Sequence, residues 1–105
     1  MKVKDGVQLR DLQLEMRIVL KAAEIIWAQH GQELVVTSTA DGVHSAGSLH
    51  PYGYAVDFRI DYFGAVVQDL VAHKLRAALP AGYQVYREAT HIHIEFDDAK
   101  KKVPR

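Results

Sequence analysis

Two stretches of the chain carry side chains able to gather a metal ion: Ser48-Leu49-His50-Pro51-Tyr52-Gly53-Tyr54-Ala55-Val56-Asp57 and, far downstream, His91-Ile92-His93. Together they offer two imidazoles and a carboxylate, donor types that zinc accepts in a tetrahedron. A site with three protein ligands leaves its fourth corner to a reactive water, so the pattern points to catalysis rather than to a structural staple. The chain has no cysteine, so any metal must use histidine and carboxylate, and folding needs no oxidising compartment. If His91 to Phe96 is a strand, His91, His93 and Glu95 face one way and Ile92, Ile94 and Phe96 the other. Burying three ionisable groups side by side is costly unless a divalent cation compensates, and Asp57 on a neighbouring strand completes the set.

The elements that position these residues follow from apolar spacing. Leu9, Leu12, Met16, Val19, Ala23 and Ile26 recur in steps of three and four, which predicts an amphipathic helix ending near His30, where Gly31 can take the left-handed conformation. Asp5 with Gln8 offers a weak capping box. Leu34 to Thr39 reads as a strand broken by Asp41-Gly42, and Gly42 to Gly53 as a surface loop. Tyr54 to Ile60 reads as a second strand, and Val67, Leu70, Val71, Leu75, Ala78 and Leu79 as a second helix stopped by Pro80. Tyr83 to Arg87 and His91 to Phe96 read as an antiparallel hairpin. With 105 residues, the chain is one domain over 1–105, whose charged end 97–105 is expected to be a flexible, solvated tail.

The first motif, together with Glu88-Ala89-Thr90-His91-Ile92-His93, resembles the family of zinc D-alanyl-D-alanine carboxypeptidases, D-Ala-D-Ala dipeptidases and L-alanyl-D-glutamate endopeptidases of phage lysins, whose fold hedgehog signalling domains share. The family pattern S-x-H-x-x-G-x-A-x-D is matched at every fixed position by Ser48, His50, Gly53, Ala55 and Asp57. The resemblance spans Val35 to Phe96 and implies His50, Asp57 and His93 as zinc ligands, Glu88 as general base and His91 as the group that stabilises or protonates the reacting centre. A Glu-x-x-His reading would instead make His91 the third ligand; His93 is preferred, because the His-x-His form in this fold usually uses the second histidine. Many relatives carry an arginine shortly before the first motif to grip a substrate carboxylate, whereas no arginine lies between Arg17 and Arg59 here.

The fold expected from pattern and resemblance is α+β: a small, mainly antiparallel sheet with helices on one face and a zinc cleft on the other. The function implied is a zinc metallopeptidase that hydrolyses a peptide bond in bacterial peptidoglycan stems, as a phage-lysin-like endopeptidase or a D,D-carboxypeptidase. The alternative is a non-catalytic zinc-binding interaction module, or a phage structural module, of the same fold. Thirteen basic and thirteen acidic side chains cancel, so neither nucleic acid nor membrane is an expected partner, and a monomer is favoured. The N-terminus lacks the apolar run of a signal peptide, so the expectation is cytoplasmic synthesis with action on the cell wall after release. Ser48 is expected to fix the loop rather than act as a nucleophile and Glu95 to hold a ligand histidine in place; Tyr52 and Tyr54 read as packing beside a glycine, with lining of the cleft as the alternative, and His44 as a solvated loop residue, with substrate contact as the alternative. Arg59 and Asp61 read as a strand-end pair of little functional content.

Overall fold

In the computed structural model, which describes residues 1–40 and 48–101, the strands Ala55–Arg59 (β3) and His91–Phe96 (β5) each divide their residues between two environments. Val56, Phe58, Ile92 and Ile94 are fully buried on one face, while Asp57, Arg59, His91 and His93 are only partly covered on the other. This is the period-two alternation expected of a strand that is packed on one side. The helices Arg17–Gln29 (α1) and Ala65–Ala78 (α2) cover the apolar face with Val19, Ala23, Ile26, Val71, Ala72 and Leu75. Trp27 is completely buried and meets Phe58 edge-on, with ring centroids 5.7 Å apart, while its indole N–H donates to the Arg59 carbonyl at 3.3 Å. A buried tryptophan needs such an acceptor, and this one ties α1 to the end of β3.

Among the described residues five strands form one mixed sheet, with Lys2–Val3 (β1), Val35–Ser38 (β2) and Tyr83–Arg87 (β4) completing it in the order β1-β2-β3-β5-β4. Only the β1 and β2 pair is parallel; the other pairs are antiparallel. The architecture is therefore a small α+β domain with a mostly antiparallel sheet and both helices on one face. β4 forms one edge, and the Arg76 guanidinium reaches over from α2 to donate to the Val85 carbonyl at 3.0 Å.

Three expectations need correction. The first helix starts at Arg17, not Leu9, and Leu9–Asp11 and Leu14–Met16 are separate 3-10 turns with extended backbone at Leu12 and Gln13. Leu9 and Leu12 still pack against the core, because a turn of about three residues also returns every third side chain to the same side. Asp5 lies in a turn rather than at a helix start, the first 3-10 turn beginning only at Leu9, so the Asp5–Gln8 box is absent. The end of the chain does not leave for solvent at Asp97: Asp97–Lys101 forms a 3-10 turn, Ala99 is fully buried and the Asp97 amide donates to the Gly82 carbonyl. β1 went unforeseen, being two residues long and carrying a lysine. The close of α1 is as expected, at Gln29 followed by Gly31 with φ of 73°. Asp41-Gly42 and His44 lie outside the described residues.

Candidate metal centre

Pairing across β3, β5 and β4 arranges the uncovered sheet face in rows. Asp57 lies opposite His93, and His93 opposite Tyr86; Arg59 lies opposite His91; Ala55 and Gln84 flank Glu95. Directly paired residues share a face, with Cβ atoms about 5 Å apart. The hairpin continues this order to its tip, where the Glu88 amide donates to the His91 carbonyl at 2.8 Å.

His50 comes from outside the sheet, on the 3-10 turn His50–Tyr52. The segment Ser48 to Gly53 is built to deliver it. Ser48 Oγ accepts from the His50 amide at 3.2 Å, and the Gly53 amide donates to the His50 carbonyl at 3.0 Å. Pro51 sits in the first turn, where its missing N–H costs nothing. Gly53 ends the turn with φ of 78°, and a Cβ there would collide with the Asp11 carbonyl oxygen. The Gln13 amide donates to the Gly53 carbonyl and its side-chain amide to the Tyr52 carbonyl, so the segment before α1 braces the loop. This explains physically why the motif has glycine at this position.

The three groups converge closely. His93 Nδ1 is 2.8 Å from Asp57 Oδ1 and 3.1 Å from His50 Nε2, and His50 Nε2 is 3.2 Å from the same carboxylate oxygen. A tetrahedral ion with bonds of about 2.0–2.2 Å would hold its ligand atoms about 3.3–3.6 Å apart, so an ion fits after the three spread by a few tenths of an ångström. Proton placement supports the fit. His50 Nδ1 lies 2.6 Å from the Thr39 carbonyl, which only accepts, so this nitrogen carries the hydrogen and Nε2 presents a lone pair. His93 Nε2 lies 2.9 Å from Glu95 Oε1, which in the same way leaves the lone pair on Nδ1. Two imidazole lone pairs and a carboxylate oxygen thus face one point. His50, Asp57 and His93 form a group able to hold a metal ion.

A proton competes for that point. Burial pulls the His93 imidazole down, but its hydrogen bonds to Asp57 and Glu95 and their charges raise it above the ordinary histidine value. Burial pushes the Asp57 carboxyl up, yet hydrogen bonding and charge from His50 and His93 outweigh this and hold it well below the usual carboxylate range. The carboxylate is therefore always ionised near neutrality, as a metal ligand must be.

The other anticipated residues occupy the surroundings. His91 is outside the convergent group, with Nε2 3.8 Å from Asp57 Oδ2 and Nδ1 3.3 Å from Thr90 Oγ1, so His93 rather than His91 is the histidine that joins His50 and Asp57. Glu88 is exposed at the hairpin tip, next to His91 but apart from the buried group. Tyr52 is on the turn that carries His50, and Tyr54 packs near Phe96, with ring centroids 6.3 Å apart. The sequence reading missed two contributors. Thr39 is fully buried and orients His50 through its backbone carbonyl, a role that residue type does not encode. Tyr86 lies across from His93, ring centroids 5.9 Å apart, and follows from the alternation of β4 once the hairpin is recognised.

The open groove of about 540 Å³ between α1 and α2, lined by Ala22, Ile25, Lys74 and Ala77 among others, is on the opposite side of the sheet from this group. Among the described residues no helix is long and apolar enough to cross a membrane. No family model and no curated protein matches the chain.

Proposed function

We propose that this protein is a zinc-dependent peptidase acting on the peptide stems of bacterial peptidoglycan. The observation that carries the reading is the meeting of His50 Nε2, His93 Nδ1 and Asp57 Oδ1 within 2.8–3.2 Å of one another, three donor atoms turned towards one point. Two imidazoles and a carboxylate match zinc, and the family resemblance of the Ser48 to Asp57 motif supplies the substrate class.

Zinc bound there supplies a Lewis acid for the scissile carbonyl and lowers the pKa of a water to about 7. Everything else is the work of the chain's own residues. Asp57, His50 and His93 would hold the ion on the open face of the sheet, with the Thr39 carbonyl and Glu95 fixing the two ring orientations. Glu88, exposed beside His91 on the hairpin, takes the proton from water and passes it to the leaving amine, as a solvent-reachable carboxylate can. His91 stabilises negative charge on the carbonyl oxygen, and Tyr86 offers its phenol from the neighbouring strand.

The test is mass spectrometry of fragments released from purified sacculi by zinc-loaded protein, beside chelated protein and Glu88→Ala. New peptide termini that disappear in both controls are the expected result. Metal content checks the site itself: His50→Ala, Asp57→Ala and His93→Ala each lose stoichiometric zinc, while His91→Ala keeps it. Full zinc in His93→Ala would move the third ligand to His91. The exposure of Glu88 favours one second reading, a zinc-binding interaction module, and stoichiometric zinc without any released fragment would establish it over the peptidase.

A further inference from the structure

The rows on the open face place a cation beside the metal group that the mechanism leaves unused. On β3, Asp57 and Arg59 are two residues apart and therefore project from the same face, and Arg59 is paired with His91. The row next to the metal ligands thus runs from Arg59 on β3 through His91 on β5 to Glu88, one residue past the end of β4, positive at one end and negative at the other.

The guanidinium is available for such a ligand. Its side chain is 42% exposed, and its ion pair among the described residues is a long one, 3.8 Å to Asp61, itself 60% exposed. An exposed pair at this distance is weak and exchanges readily with solvent or with a better-placed anion. Asp57, the half-buried carboxylate on the same strand face, is already engaged by His50 and His93. The backbone of Arg59 is meanwhile rigid, because its carbonyl accepts from the Trp27 indole in the core. A fixed base, a mobile planar fork of donors and a half-open position fit bidentate capture of a carboxylate.

We propose that Arg59 anchors a carboxylate of the bound peptide while the metal group engages the scissile carbonyl. This deepens the peptidase reading and rests on it. On this reading the protein selects acidic over amidated peptides. The carboxylate is either the chain end or an acidic side chain.

Thiol-anchored peptides test the inference without turnover. The full chain is loaded with cobalt, and mercaptoacetyl-alanine, mercaptoacetyl-alaninamide, mercaptoacetyl-glutamic acid α-amide and mercaptoacetyl-glutamine amide are titrated, with Kd read from the thiolate-to-cobalt absorption band. At least one acid is expected to bind about tenfold more tightly than its amide, the scale of a hydrogen-bonded charge pair. Preference in the alanine pair assigns a terminal carboxylate, and preference in the glutamate pair a side-chain one. In Arg59→Gln the acid and amide bind alike; Arg59→Lys keeps part of the preference; Lys21→Gln, a charge change on the exposed side of α1, keeps all of it. Equal binding of acids and amides by the cobalt-loaded protein, or a preference that survives in Arg59→Gln, overturns the anchor while leaving the metal site standing. Failure to bind cobalt in any form removes the metal reading, and the anchor with it.

Discussion

A histidine presents one nitrogen to a metal according to what holds the other, and here the two holders differ in kind. His50 is oriented by a backbone carbonyl that no side-chain substitution can delete, whereas His93 depends on the carboxylate of Glu95, two residues along the same strand face. Glu95→Gln tests this dependence, because an amide can turn its NH₂ towards Nε2 and favour the tautomer with the proton on Nδ1. Zinc affinity is expected to fall about 10- to 100-fold, measured by competition with a chromophoric chelator, while the fold is kept. Unchanged affinity would mean that Glu95 only packs. At this scale the sequence was largely readable: spacing and residue type picked out His50, Asp57 and His93, and alternation placed Glu95. It was blind to Thr39, whose contribution is a carbonyl, and it left the choice between His91 and His93 to family habit until the pairing of Asp57 with His93 became visible.

Among the elements, the loop carrying His50 is the one with least tolerance. Gly53 must be left-handed with the Asp11 carbonyl against its α-carbon, and the same glycine accepts from Gln13. Gly53→Ala is expected to lower stability by about 2–3 kcal/mol in chemical denaturation and, on the proposed zinc reading, to weaken metal binding as well, since the displaced turn carries His50. Loss of stability with full zinc affinity would separate the turn from the site. The same contacts explain where sequence reasoning went astray. Periodicity alone ran the first helix back to Leu9, but Gln13 is extended so that its amide and side chain can reach the His50 turn, and a continuous helix would withdraw both. The hairpin of β4 and β5 and the close of α1 at Gly31 were legible because each depends on neighbours in sequence. β1 and the docking of Ala99 depend on distant partners, and composition cannot announce those.

For the molecule as a whole, the competition between proton and metal links the site to stability. The raised value of His93 contributes stability that is complete below its unfolded value of about 6.5 and lost as pH rises through the folded one. Asp57 is depressed, so its contribution is present above about 4 and lost as pH falls towards its folded value. From these two groups, chelated protein should be most stable between about pH 4 and 6.5. A metal on His93 Nδ1 would displace the proton there, so the gain in Tm on adding zinc should widen as pH rises above about 6.5, read by thermal melts with and without chelator. A gain that is flat or shrinks over that range would detach His93 from the metal. At the far edge of the sheet, the guanidinium of Arg76 occupies the outward carbonyl of Val85 at the middle of β4. A foreign strand arriving there would have to displace a charged donor before its first amide could bond, so the border that looks most open to fibril-like stacking is guarded by a single side chain from the helix behind it.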